Sequence, residues 1–196
     1  MTEIQGAIRG EHGSDVPCGD CTACCTASQF IHIGPLESAA LAAIPTALLF
    51  PAPRMPEGHM LMGYDEHGRC PMLIDDACSI YASRPRTCRT YDCRVFPAAD
   101  LEPDEPTKVL IAERIRRWRF EYPTASDRAQ HDAVRAAAAS LASHPEVVPA
   151  QSRPHTTTHL AVLAVEIHEV FIGATDAAPD PESIRRELIR RGVDDR

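Results

Sequence analysis

The chain has 196 residues and a formal net charge of −8 at pH 7, with a pI near 5.5. This acidic balance argues against a general binder of nucleic acid or of anionic membranes. No run of residues approaches the roughly 18 apolar residues of a membrane span, and the first residues lack the basic start and apolar stretch of a secretory signal. We therefore expect a cytoplasmic protein that does not contact a membrane and whose thiols stay reduced.

The first half of the chain predicts short elements. Residues 1–13 are expected to be a flexible leader, and residues 30–33 predict a strand. Gly34-Pro35 then opens a helix that ends at Pro45 and carries Glu37 in its first turn.

A hairpin is predicted next. Residues 59–64 and 70–74 are expected to form two strands, and the polar residues 65–68 between them are typical of a turn. Residues 78–82 are expected to form one helical turn.

The second half predicts four helices. A first helix is expected from Pro106 to about residue 121, and residues 124–143 begin with the capping-box pattern of Thr124 and Asp127. Residues 156–172 place apolar side chains on one helical face, and a last helix follows Asp180 and ends at Gly192.

Together these patterns predict an α+β fold. We expect a small, irregular, cysteine-rich metal-binding unit over residues 14–97. A mainly α-helical extension over residues 98–196 should follow it.

Eight cysteines carry the strongest functional signal, and all of them lie in the first half of the chain. Four belong to one octet, and four follow at wider spacing: Cys18, Cys21, Cys24, Cys25, Cys70, Cys78, Cys88 and Cys93. In a chain without an export signal, thiols this dense predict metal ligands, and all eight are candidates. Disulfides are the alternative, which nothing in the sequence favours because nothing directs the chain to an oxidising compartment.

The spacing of the octet leaves the metal open. Cys18, Cys21 and Cys24 repeat a Cys-x-x-Cys step, as in ferredoxin-type iron–sulfur proteins, but Cys25 follows at once instead of the usual fourth ligand. Three early cysteines and one remote cysteine could hold a four-iron cluster. The alternative is zinc, with four thiolates for each ion.

Other polar residues near the cysteines have less specific patterns. Arg86 and Arg89 bracket Cys88, and we predict that they bind the cofactor by donating hydrogen bonds to its sulfur ligands. Further along, Glu166 and His168 share a helix without the spacing of a metal motif, so we expect them on a solvated face.

The cysteine pattern resembles a known family. The octet, Cys70-Pro71 and the string from Cys78 through Arg84-Pro85 to Cys88-Arg89 are similar to the YkgJ-like cysteine-cluster family, a zinc- or iron-chelating domain whose members are often named iron–sulfur oxidoreductases. The resemblance covers roughly residues 17–96. It implies metal binding by the cysteines and leaves the reaction open.

Two hypotheses follow. In the first, the protein holds an iron–sulfur cluster, or zinc, through thiolates and has a redox role, with iron–sulfur oxidoreductase-like activity as the enzymatic option. In the second, it is a structural zinc-binding module that mediates interaction with a protein partner without catalysis.

Overall fold

The computed structural model describes residues 2–9, 13, 16, 20–173 and 179–191. The α-helices in chain order are α1 Thr2–Arg9, α2 Ser38–Ala43, α3 Arg86–Thr90, α4 Val95–Ala98, α5 Val109–Ile115, α6 Ala125–Ser143, α7 Thr157–Ile167 and α8 Pro181–Arg190. The strands are β1 Ile31–Ile33, β2 Leu49–Pro51, β3 Met60–Met62, β4 Leu73–Ile74 and β5 Ala77–Cys78. The fold class is α+β, as predicted.

The chain divides into two compact units. We call Gly6–Asp92 with Glu105–Arg114 the cysteine unit, and Met1–Gln5, Cys93–Asp104 and Ile115–Arg196 the helical unit. The predicted boundary between residues 97 and 98 stays a prediction.

A three-stranded antiparallel sheet organises the cysteine unit. Its order is β1-β3-β2, so the central strand β3 sets Met62 opposite both Ile31 and Leu49. Ile31, Ile33 and Met62 face a small apolar core against which the side chains of Cys70 and Cys88 pack. The sheet therefore brings together two cysteines that are far apart in sequence.

The predicted hairpin is wrong in its second strand. β3 forms as expected, and a turn follows from Asp65 to Arg69. The returning segment instead pairs β4 with β5, with Leu73 opposite Cys78. Asp75 and Asp76 close this tighter hairpin with φ angles of 49° and 57°. The returning segment cannot pair with β3, because β1 and β2 already occupy both edges of β3.

Helices α6 and α7 form the core of the helical unit. Small buried residues, among them Ala137 and Ala164, allow the two backbones to approach closely. The predicted capping box is present, since the Thr124 hydroxyl accepts the Asp127 N–H and the Asp127 carboxylate accepts the Thr124 N–H. At the start of α8, the Asp180 carboxylate accepts the Ser183 N–H as an N-cap, whereas Gly192 lies outside the described residues.

Three further predictions need correction. The leader is helical over α1, where Ile4 and Gln5 are buried. The helix expected to reach residue 121 ends at Ile115. Glu166 and His168 are buried rather than solvated, and the Nδ1 atom of His168 lies 2.7 Å from its hydrogen-bond partner, the carbonyl oxygen of Val165.

Candidate metal centre

Two main-chain hydrogen bonds join the octet to the segment that carries Cys70. The N–H of Cys70 donates to the carbonyl of Cys25 at 2.7 Å, and the N–H of Ser28 donates to the carbonyl of Gly68 at 3.0 Å. Cys25 belongs to one turn of 3₁₀ helix, Ala23–Thr26. Cysteines 45 positions apart in the chain are thus held side by side by the backbone itself.

Gly68 makes this approach sterically feasible. Its φ is 75°, in the left-handed region that favours glycine. A Cβ at this position would overlap the hydroxyl oxygen of Ser28. The turn of residues 65–69 therefore lies against the octet only because residue 68 has no side chain.

The Cys70 sulfur sits in a turn that supplies hydrogen-bond donors. Burial raises the pKa of the Cys70 thiol, and the charge of Cys78 raises it further. The main-chain N–H groups of Met72 and Leu73 donate to the sulfur and lower the pKa. N–H groups aimed at a sulfur stabilise its thiolate form. This environment suits a metal-bound thiolate.

Cys78 reaches the same region from the small hairpin. It lies on β5 opposite Leu73, and Leu73 follows Cys70 by three residues. The Ser79 N–H and hydroxyl both donate to the Met72 carbonyl, at 2.9 and 3.0 Å. These bonds fix the position of β5 beside the Cys70 turn.

Cys88 comes from α3, and the pKa of its thiol is strongly raised. Burial raises the pKa of Cys88 to about 12, the charges of Cys70, Cys25 and Cys78 raise it in the same direction, and the Arg84 guanidinium lowers it. Three sulfurs from three separate segments therefore act on the fourth.

Two hydrogen bonds anchor helix α3, one to strand β1 and one to the start of α2. The Thr87 hydroxyl donates to the His32 carbonyl on β1 at 2.8 Å. The Glu37 carboxylate, at the start of α2, accepts the main-chain N–H of Arg86. Cys88 is thereby held against the apolar core that also contacts Cys70.

The donor set of this region fits zinc or iron. Cys25, Cys70, Cys78 and Cys88 offer four sulfur ligands, the number that tetrahedral zinc and a four-iron cluster both require. Burial is the largest cause of the raised pKa of Cys88, and the charges of Cys70, Cys25 and Cys78 raise it in the same direction. Within the described part of the chain, no three His, Cys, Asp or Glu side chains already have the spacing of a closed metal site.

The remaining predicted ligands have different surroundings. Cys21 and Cys24 are half-buried, and Cys18 lies outside the described residues. Cys93 is buried in the helical unit, where the indole N–H of Trp118 donates to its sulfur at 3.3 Å. The free thiols include Cys21, Cys70, Cys78 and Cys88.

The two predicted cofactor-binding arginines have exposed side chains. A guanidinium nitrogen of Arg89 lies 3.8 Å from the Glu37 carboxylate, and Arg86 holds that carboxylate through its main chain. Their hydrogen bonds to sulfur stay a prediction. Arg84 is the arginine whose charge acts on Cys88, while it also stacks on Tyr81 with its guanidinium carbon 3.5 Å from the ring centre.

Sequence reasoning gave Glu37 no role beyond starting a helix, and it did not connect Trp118 with Cys93. Both roles depend on contacts between distant segments. The available signal for Glu37 was its place three residues after Gly34, where a carboxylate can accept N–H groups of a turn.

A comparison with protein-family models matches residues 17–110 to CxxCxxCC, described as "Putative zinc- or iron-chelating domain". The chain resembles this family over residues 17–110, which we call the CxxCxxCC domain. The resemblance seen in the octet is confirmed at the level of this family, and the CxxCxxCC domain includes all eight cysteines. Its description matches the zinc or iron–sulfur cofactors predicted from the thiols.

The comparison with curated proteins and the comparison with solved structures each found no match. Within the described residues, no helix combines the length and the apolar character that crossing a membrane requires.

Proposed function

We propose that the CxxCxxCC domain holds an iron–sulfur cluster through Cys25, Cys70, Cys78 and Cys88, and that the cluster has a redox role in the cytoplasm. The observation that carries this proposal is the convergence of Cys25, Cys70 and Cys78 on Cys88. Cys18, Cys21, Cys24 and Cys93 complete the proposed set of ligands. Because the first centre already has four ligands, these four cysteines remain proposed ligands beyond it.

The protein contributes the electrostatics of such a centre. The cluster would supply one-electron chemistry, and hydrogen bonds to sulfur together with burial tune its potential. In this chain the N–H groups of Met72 and Leu73 and the charge of Arg84 stabilise the thiolates of Cys70 and Cys88. The apolar core beneath both residues limits the access of water.

The second candidate is a structural zinc module that presents a surface to a protein partner. It is favoured by the number of converging sulfurs, because four thiolates fill a tetrahedral zinc site and leave no open position for a reaction. The cysteine unit also has a small core built on short strands, which metal binding would stabilise.

Anaerobic purification separates the two candidates. An iron–sulfur protein shows absorption near roughly 400 nm, acid-labile sulfide and iron in proportion. A colourless protein with stoichiometric zinc and no sulfide would replace the first candidate with the second.

Serine variants test the ligands under the same conditions. Replacing Cys25, Cys70, Cys78 or Cys88 singly by Ser should lower the bound metal strongly, whereas Ala82→Ser, an exposed change in the same unit, should retain it. Wild-type metal content in all four cysteine variants would contradict the proposed site.

We further propose that the metal stabilises residues 14–97 separately from the helical extension. Removal of the metal by a chelator should make the cysteine unit unfold at a lower urea concentration, while α6, α7 and α8 keep most of their helical circular dichroism at that concentration. Simultaneous loss of both signals would refute the proposed domain boundary.

A further inference from the structure

The cysteine unit contains a cavity of about 600 Å³ whose walls come from β1, the turn before α2 and α3. Its lining residues are not cysteines. The polar ones are His32, Glu37, His59, Arg86, Thr87 and Thr90. What the cavity can bind depends on which of these groups still have hydrogen-bonding capacity.

Both carboxylate oxygens of Glu37 already accept hydrogen bonds from the protein. One carboxylate oxygen accepts the Gly34 N–H at 2.7 Å, and the other accepts the Arg86 N–H. The Arg89 guanidinium adds a positive charge 3.8 Å from the same carboxylate. The negative charge of Glu37 is therefore used within the protein to hold the cavity walls together.

The two threonines are also committed as donors. The Thr87 hydroxyl donates to the carbonyl of His32, and the Thr90 hydroxyl donates to the carbonyl of Arg86 at 3.0 Å. Each hydroxyl has one proton, so neither threonine has a second one for a ligand.

His32 and His59 form a hydrogen-bonded pair of imidazoles. The Nε2 atom of His32 lies 2.8 Å from the Nδ1 atom of His59, while the ring centres are 5.0 Å apart and the ring planes differ by 19°. The two ring centres are farther apart than the two bonded nitrogens by about the width of one imidazole ring. The rings therefore lie end to end, and one proton lies between the two nitrogens. This contact uses one nitrogen of each ring.

Each ring of the pair keeps one further nitrogen, Nδ1 of His32 and Nε2 of His59. Whichever ring donates the shared proton, the neutral pair presents one outward N–H, and a pair with an additional proton presents two. Among the described residues, neither outer nitrogen has a hydrogen-bond partner, and the exposed Arg86 guanidinium has no ion-pair partner. The cavity therefore offers a ligand at least one imidazole N–H and the Arg86 guanidinium.

We propose that this cavity binds a small molecule through a carboxylate or phosphate group, with the His32–His59 pair and Arg86 as donors. Arginine and histidine N–H groups form strong, charge-assisted hydrogen bonds to such oxyanions. Pro35 and Leu36 provide an apolar wall for the rest of the molecule, and Leu36 is 95% exposed there. The site is separate from the proposed thiolate ligands and does not require the metal to be iron or zinc.

Titration of the full-length protein, with its metal as purified, tests this proposal. Inorganic phosphate and acetate are the two probes, acetamide is the uncharged control, and the ring signals of the histidines are followed by NMR at constant ionic strength. Histidine-to-glutamine variants assign the signals of His32 and His59. Saturable shifts with phosphate, with acetate or with both support the proposal and identify which oxyanion is preferred.

Arg86→Gln provides the residue-level test. This variant keeps the main-chain N–H that binds Glu37, so the cavity wall should persist. It should weaken the affinity for the oxyanion by about tenfold, the usual cost of one charge-assisted hydrogen bond. Arg54→Gln removes an exposed charge from the same unit outside the cavity and should leave the affinity nearly unchanged.

Three results would overturn the proposal. The first is that neither phosphate nor acetate shifts the His32 and His59 signals. The second is that acetamide shifts them as much as the anions do. The third is that Arg54→Gln and Arg86→Gln weaken the affinity for the anion equally.

Discussion

The main-chain N–H of Cys70 donates to the carbonyl oxygen of Cys25 at 2.7 Å, although 45 positions separate the two residues in the chain. Main-chain atoms alone therefore fix the distance between the octet and the Cys70 turn. The hydrogen bond of Ser28 to Gly68, beside it, gives the contact a second point of attachment.

The contact predicts a large effect at Gly68. Gly68→Ala places an alanine at a φ of 75°, which costs about 1–2 kcal/mol, and also brings its methyl group into the Ser28 hydroxyl. We expect lower stability and reduced metal content, measured by urea unfolding and elemental analysis.

Two controls separate the causes of that effect. Gly173→Ala has the same backbone cost at a φ of 80° but meets no atom within 4 Å, so it should leave the metal content unchanged. Ser28→Ala combined with Gly68→Ala should recover part of the loss because the overlap is removed. A harmless Gly68→Ala would show that the turn does not need this close approach.

Metal uptake should release protons. Burial raises the pKa of Cys70 and raises that of Cys88 to about 12, so both are protonated thiols at neutral pH in the metal-free protein. Each must lose its proton to become a ligand, and the apparent zinc affinity therefore increases about tenfold per pH unit for each proton released.

Calorimetry in buffers of different ionisation enthalpy counts these protons. Cys88→Ser should release one proton fewer than the wild type, whereas Ala82→Ser should release the same number. An unchanged proton count in Cys88→Ser would remove Cys88 from the set of ligands.

The stability of the metal-free protein should fall in alkali. The folded-state pKa of Cys88 is about 12, above the value of about 8.5 for an unperturbed thiol. The folded state therefore retains a proton that the unfolded state loses, and this contribution to stability is present below about pH 8.5 and is lost as the pH rises toward 12. Urea midpoints at increasing pH should decrease less steeply for Cys88→Ser than for the wild type; parallel curves would contradict the burial of this thiol.

Trp118 offers an optical test of Cys93. It is the only tryptophan in the sequence, and its indole N–H donates to the Cys93 sulfur. If Cys93 is a ligand, as its place in the cysteine pattern predicts, zinc changes the charge on that sulfur and shifts the tryptophan emission. Cys93→Ser should abolish the shift without abolishing zinc binding at the other sulfurs, and constant emission in the zinc-loaded wild type would exclude Cys93.

Local signals predicted some of the fold well. Helix α6 was predicted from the Thr124–Asp127 capping box and α8 from Asp180-Pro181, because a cap is encoded within a few residues. The partner of β4 was not predicted, since it depended on a turn at Asp75-Asp76 that lacks the usual glycine or asparagine. The burial of His168 also depends on packing between helices, which helical spacing alone does not reveal.

Some features of the candidate site were likewise predicted from local sequence, and others were not. Spacing and count identified the cysteines as ligands, and the CxxCxxCC family supports zinc or iron. The closeness of Cys25, Cys70, Cys78 and Cys88 required the tertiary contacts of three segments. The anchoring of α3 by Glu37 likewise joins residues 49 positions apart.

X-ray absorption at the metal edge of anaerobically purified protein tests the central claim most directly. We predict stoichiometric zinc or iron whose first shell contains only sulfur, at about 2.3 Å for zinc. Cys70→Ser and Cys88→Ser should each reduce the sulfur number or the metal content. A first shell of nitrogen and oxygen, or a protein that binds neither metal, would contradict the account.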